Sequence, residues 1–361
     1  MSSPYIQALR RISCELFYKD KLIYEERKMK NSYKKIYIVI IVISMLSVLI
    51  SGCGNISADN DKLTVVTTIF PEYDWVMNIL GEKADDTEVT MLLNNGVDLH
   101  SYQPTADDII KISTCDVFIY VGGESDKWVD DVLKNAVNKD MTVINLLDLL
   151  GNDIKEEEIV EGMQEEEHDH HEDEHEDEHE EGPEYDEHVW LSIRNAVKLC
   201  REIAGRLSEK DPENKDIYTA NLETYIKNLN ALDEKYQTAL SNTKKKTLLF
   251  GDRFPFRYLT DDYGLDYYAA FAGCSAETEA SFETIVFLAN KADELGLNAI
   301  IHIESSDGKI ATTIKENTKT KDQKIIVLDS LQATTLKDRE KGTNYISVME
   351  KNLEAITEAL S

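Results

Sequence analysis

A chain of 361 residues with 69 acidic and 39 basic side chains carries a formal net charge of −30. Such a surface repels phosphate and offers no basic stripe, which excludes nucleic acid as a partner and favours cations. Its five cysteines show no Cys-x-x-Cys spacing, which argues against a disulfide framework or a thiolate zinc site.

At the N-terminus Lys34 and Lys35 precede the apolar run 36–50, which leads into the quartet Ile50-Ser51-Gly52-Cys53. A positive region, an apolar stretch shorter than the ~20 residues of a membrane span and a small-residue exit describe a signal segment. The quartet resembles a bacterial lipobox, so Cys53 is expected to carry lipid and anchor the chain to the outer face of a cell membrane. Residues 1–52 are set aside as signal sequence, with Met29 a candidate true start, and 53–61 as a lipid-anchored tether.

From residue 62 the β-branched run KLTVVTTIF (62–70) and the runs DVFIYV (116–121) and TVINL (142–146) read as strands. Helical patterns over 72–80 and 105–112 lie between them, the second opened by Thr105 with Asp107 and Asp108 in its first turn. Strands alternating with helices predict a parallel sheet covered on both faces. Residues 151–186 are acidic and of low complexity, too poor in apolar side chains to offset the entropy of ordering, and are expected to form a mobile loop. Apolar residues then recur at helical spacing over 192–207.

After Asp211-Pro212 a second helical pattern spans 213–240, about 42 Å at ~1.5 Å per residue. Strands at 247–250, 267–271, 299–303 and 324–328 follow, with helices over 281–296 and 306–316 between them and a last helix over 344–360. The expectation is α/β: an N-terminal lobe (62–212), a linking helix (213–242) and a C-terminal lobe (243–361), two doubly wound units with a ligand cleft between them.

Six of the eight histidines fall between Glu165 and Trp190. His168, His170, His171, His175 and His179 are spaced among carboxylates, a composition that binds divalent metal weakly while staying solvated. The run reads as a low-affinity collector, or as a plain solvated linker. His188 differs, because it opens an amphipathic pattern. His100, in MLLNNGVDLHSYQPTADDIIKI, ends an apolar run ahead of a helix, at the sheet edge where doubly wound folds bind ligands.

The segments KLTVVTTIFPEYDWVMNILGEKADDTEVTMLLNNGVDLHSYQPTADDIIKISTCDVFIYVGG, WVDDVL, EHVWLSIRNA, RYLTDDYGLDYYAAF and LDSL resemble the zinc and manganese substrate-binding lipoproteins of ABC importers. The similarity covers most of residues 62–361. It implies two lobes, a rigid linking helix and one metal ion in the cleft. His100 matches the first ligand, His188 the second, and Asp329 the carboxylate that approaches from the second lobe. Glu304 matches an acidic cleft residue whose ligand status varies. The implied partners are an ABC permease and its ATPase.

At the third ligand the chain departs from that pattern. Counting back from Phe256 and Tyr258 puts Arg253 where the family carries histidine or glutamate, and a guanidinium has no lone pair to donate. Three arrangements stay open: Asp252 takes over, Glu304 or Asp329 completes the set, or Arg253 pairs with one of those carboxylates and leaves a weaker site. Histidine enrichment favours Zn2+; two nitrogens with two oxygens also suit Mn2+.

His302, on the same strand face as Glu304, reads as a buried core histidine or as a donor one layer below the metal, Glu277 and Glu279 as turn and helix-start residues, and Trp75, Trp128 and Trp190 as packing residues. With no Gly-x-Ser-x-Gly and no P-loop, no catalysis is implied. The competing functions are a surface metal buffer or adhesin, and a secreted metallohydrolase in which His100, His188 and Asp329 leave one position open for water.

Overall fold

In the computed structural model, residues 62–164, 184–275 and 279–361 are described. Cys53 and the histidines at 168, 170, 171, 175 and 179 lie outside them, as does Glu277. The described residues belong to one compact unit, Lys62–Ser361, with two parallel sheets. The first contains β1 (Leu63–Thr67), β2 (Thr87–Met91), β3 (Val117–Tyr120) and β4 (Thr142–Asn145), in the order β2-β1-β3-β4. The second contains β5 (Thr247–Phe254), β6 (Asp266–Ala272), β7 (Ala299–Ile303) and β8 (Lys324–Leu328), in the matching order β6-β5-β7-β8. In both, strand order reverses beside the first strand, which opens a crevice at the carboxyl edge.

The helices of the first lobe are α1 (Phe70–Leu80), α2 (Ala106–Thr114), α3 (Trp128–Lys134), α4 (Leu146–Leu150) and α5 (Ile193–Lys210). Thr105 caps α2 through Asp108 N, and Ser192 caps α5 through Asn195 N. After a turn at Pro212–Asn214, the long helix α6 (Lys215–Ser241) runs between the lobes. Its buried side chains, Tyr218, Leu222, Tyr225, Ile226, Leu229, Leu232, Tyr236 and Leu240, form one stripe at helical spacing. That stripe fixes the helix against both lobes. The second lobe adds α7 (Arg257–Tyr263), α8 (Phe282–Glu294), α9 (Lys309–Asn317), α10 (Leu336–Glu340) and α11 (Tyr345–Ala359).

One apolar core runs through both lobes, from Val65 and Trp75 to Ile303 and Met349. Trp190 is fully buried and its Nε1 donates to Ser330 O at 2.9 Å, while Tyr345 Oη donates to Trp190 O at 2.7 Å. Burying such a ring contributes roughly 1.5–3 kcal/mol, so these residues hold the lobes together. Trp75 is likewise fully buried, and Trp128 packs against the core from its edge. Among the described residues no helix is long and apolar enough to cross a membrane.

The expectation of a mobile loop over 151–186 is corrected at both ends. Ile154, Val160 and Met163 pack against the core, and Gln164 N donates to Ala270 O at 2.9 Å. Glu156 bridges Tyr185 in antiparallel fashion, with Glu157 N on Glu184 O and Asp186 N on Lys155 O. The two ends of the acidic segment thus form a neck laid on the second lobe. Three apolar anchors and three main-chain bonds suffice where composition predicts none.

Candidate metal centre

His100 sits in a short 3-10 turn, Leu99–Ser101, after β2. Asp98 caps that turn, its Oδ1 accepting from His100 N at 3.0 Å. His188 sits at the mouth of the neck, its backbone N donating to Asp186 Oδ1 at 2.8 Å. The two rings meet with Nε2 atoms 3.1 Å apart and centroids 5.1 Å apart. Nitrogens about 2.0–2.1 Å from a tetrahedral zinc stand roughly 3.3 Å apart, so the pair already has the spread of two ligands to one ion.

The other ring nitrogens are held. Asp186 can only accept, so His188 Nδ1–H donates to its Oδ1 at 3.0 Å, which leaves Nε2 as the ligand atom. His100 Nδ1 lies 2.7 Å from Ser125 Oγ and 3.5 Å from Glu187 Oε2. Burial, then the charge on His188, pushes His100 down to about 3, so its ring is neutral. For His188 burial favours the neutral ring, but the Asp186 carboxylate outweighs it and holds the group above the usual histidine range. A cation binding Nε2 therefore competes with a proton held more firmly than on an ordinary histidine.

Glu187 is buried, its Oε1 accepting from Ser125 N at 2.8 Å and its Oε2 without a hydrogen-bond partner. Gly123, at φ +82°, permits this approach, since a Cβ there would lie 2.4 Å from Glu187 Oε1.

Cys274, in the loop after β6, completes the cluster. Its Sγ and one nitrogen each from His100 and His188 all lie within 4.8 Å of one another. Its backbone N donates to Glu157 Oε1 of the neck at 2.9 Å. Gly273 makes room beside it, because a Cβ there would meet Phe254 O at 2.8 Å and His188 Cε1 at 3.1 Å. Burial, then the carboxylates of Glu187 and Glu157, raises the thiol well above its ordinary value. The sequence argued against a thiolate zinc site because a lone cysteine carries no spacing signal, whereas the fold brings the Cys274 thiol in the loop after β6 beside the two histidines.

The sequence-derived oxygen ligands are engaged elsewhere, and none joins that cluster. Asp252 Oδ1 accepts from Arg253 N at 2.8 Å and its Oδ2 from Ile303 N at 3.2 Å. Glu304 accepts from Ser330 N at 2.7 Å and Ser330 Oγ at 2.8 Å, and burial followed by the charge of Asp329 raises it to about 7. Asp329 accepts from Leu331 N at 2.8 Å, and Asn352 brackets it through both backbone groups. Arg253 pairs with neither Glu304 nor Asp329; its Nη2 donates to Asp98 Oδ2 at 2.8 Å. His302, half-buried, turns its Nδ1 to Ile303 O at 2.9 Å and is not a member of that cluster.

A cavity of about 450 Å³ opens onto the cluster, lined by Glu124, Glu157, Glu184, Glu187 and Cys274. A larger one, about 570 Å³, lies around Arg257, Asp261 and Tyr267 and touches none of the three cluster residues. The acidic run also spells His-Glu-x-x-His twice, at His171–His175 and His175–His179. In zinc hydrolases that spacing rides on a helix with an apolar face; here residues 171–180 are all acids or histidines and lie outside the described residues.

Comparison with known proteins identifies the family. A family model described as zinc-uptake complex component A, periplasmic, matches residues 65–359. The high-affinity zinc uptake system protein ZnuA of Bacillus subtilis is 33% identical over 325 residues, covering 88% of this chain and 96% of that protein. The zinc-binding lipoprotein AdcA of Streptococcus pneumoniae is 32% identical over 320 residues, covering 88% of this chain; the match spans 60% of AdcA's own length. The crystal structure of the Zn(II)-bound ZnuA-like domain of AdcA superposes with a TM-score of 0.64 at 30% identity, covering 83% of this chain and 99% of that domain. The chain belongs to the family of zinc-uptake complex component A proteins.

Proposed function

We propose that this chain is an extracytoplasmic receptor that captures one zinc ion between His100 and His188 and delivers it to an ABC permease driven by a cytoplasmic ATPase. The observation that carries the reading is the 3.1 Å approach of the two Nε2 atoms from separate segments of the first lobe, with His188 oriented by Asp186. The names and zinc-bound structure of the relatives support zinc as the cargo. The role is binding and handover, without catalysis.

Lipid on Cys53 anchors the receptor at the membrane face. The histidine-acid run, tethered at Gln164 and Glu184, collects zinc weakly and releases it towards the acidic cavity that leads to Cys274. A strain lacking the chain is expected to fail under zinc chelation and to recover with added zinc. Complementation by the wild-type chain but not by His188→Ala supports the reading; rescue by His188→Ala overturns it.

A further inference from the structure

We propose that Cys274 is the third metal ligand, its thiolate replacing the side chain lost to Arg253, so that the site selects thiophilic cations over manganese. The inference rests on the reading of His100 and His188 as ligands and specifies the chemistry of the same site.

Four observations carry it. The Sγ lies within 4.8 Å of both ring nitrogens, and a nitrogen and a sulfur bound to one tetrahedral zinc stand about 3.6 Å apart. The loop is fixed in that position, by Glu157 on Cys274 N and by Gly273 against Phe254 O and the His188 ring. Cys274 has no disulfide partner among the described residues, and its two described counterparts, Cys115 and Cys200, are buried in the core. Lastly, the oxygens of Asp252 accept backbone N–H groups, and Glu304 and Asp329 are bound to Ser330 and Leu331.

On binding, a divalent ion forms a metal–sulfur bond as the thiol proton leaves to solvent, and the imidazoles donate their lone pairs. A soft sulfur donor strengthens zinc, cadmium and cobalt far more than manganese, which prefers oxygen. Arg253, facing Asp98, adds no donor and keeps a positive charge near the cluster.

The test loads the full chain with one equivalent of cobalt(II) and reads its absorption spectrum, alongside zinc and manganese calorimetry. The wild-type protein is expected to show a near-ultraviolet sulfur-to-cobalt charge-transfer band. Cys274→Ser should lose that band while keeping its circular dichroism, with zinc affinity falling on the order of 100-fold and manganese affinity nearly unchanged. No such band in the wild type, or wild-type zinc affinity in Cys274→Ser, overturns the proposal. Equal loss of zinc in Glu304→Gln or Asp329→Asn with Cys274→Ser intact also overturns it in favour of a carboxylate. His188→Ala separates the two levels: if it binds zinc as tightly as wild type, the histidine site itself fails.

Discussion

Arg253 reaches across the cleft to Asp98, Nη2 to Oδ2 at 2.8 Å, while the other oxygen of Asp98 holds the backbone N–H of His100 at 3.0 Å. Arg253 comes from β5 of the second lobe, and Asp98 and His100 follow β2 of the first. The arginine thus acts through Asp98 as a positioning residue for His100. Burial alone would raise Asp98, but the backbone N–H of His100 and the charge of Arg253 hold it below the usual carboxylate range, so its pair with Arg253 stays charged.

Arg253→Ala should loosen the turn that carries His100 and lower zinc affinity on the order of 10-fold, a cost typical of residues that orient ligands. Arg253→Lys should recover part of it, because a point charge reaches Asp98 without the planar fork. Zinc calorimetry on both variants checks this; unchanged affinity in Arg253→Ala would remove the positioning role.

Acid should weaken metal binding from a higher pH than an ordinary histidine would allow. His188 titrates above 6.5, and the metal competes for the same proton position. Zinc affinity is expected to fall steadily as pH drops through and below that range, with protons released on binding. Asp186→Asn should shift the fall to lower pH and weaken binding about 10- to 100-fold at neutral pH. Calorimetry in buffers of different ionisation enthalpy counts the protons; none released at about pH 6 would contradict the assignment of His188.

Chelator-treated protein should show the opposite trend in stability. Burial raises Asp74 to about 6, Asp126 to about 7 and Glu304 to about 7, from ordinary values of 3.8, 3.8 and 4.5. Each therefore contributes stability that is present below the unfolded values and is lost as pH rises through about 6 to 7. His100, held to about 3, opposes this only below its ordinary 6.5. The melting temperature of the metal-free protein should thus rise as pH is lowered from about 8 towards about 6, and Asp126→Asn should flatten the rise. A melting temperature that climbs with pH over that interval would refute it.

Deleting residues 165–181 should remove weak zinc sites and leave the tight one, because the neck segments from Ile154 to Gln164 and from Glu184 to Asp186 are held by the core, by each other and by the second lobe. Titration is expected to show loss of the low-affinity phase alone. A lost tight phase would place a ligand inside the run.

Much of this architecture was legible in the sequence because it rests on periodic burial. The strands VFIY and AIIHI and the stripe along α6 announce themselves by apolar spacing. The strand β2, TEVTM, did not, since only two of its five residues are apolar and it lies at a sheet edge. His100 and His188 were legible through neighbouring motifs. The place of Cys274 beside them was not, because it depends on a crossover that brings a distant loop to the first lobe. The same limit applies to the neck, whose order comes from Met163 and a few main-chain bonds within an otherwise acidic stretch. Asp329 and Glu304 were singled out by resemblance alone; they accept from Leu331 and Ser330 and are not members of the His100–His188–Cys274 group.

Anomalous scattering at the zinc edge, from crystals of the zinc-loaded protein, tests the proposed site most directly. One peak is expected between the lobes, about 2.0–2.1 Å from Nε2 of both His100 and His188. A peak bonded to neither histidine, or to carboxylates of the second lobe alone, would contradict it.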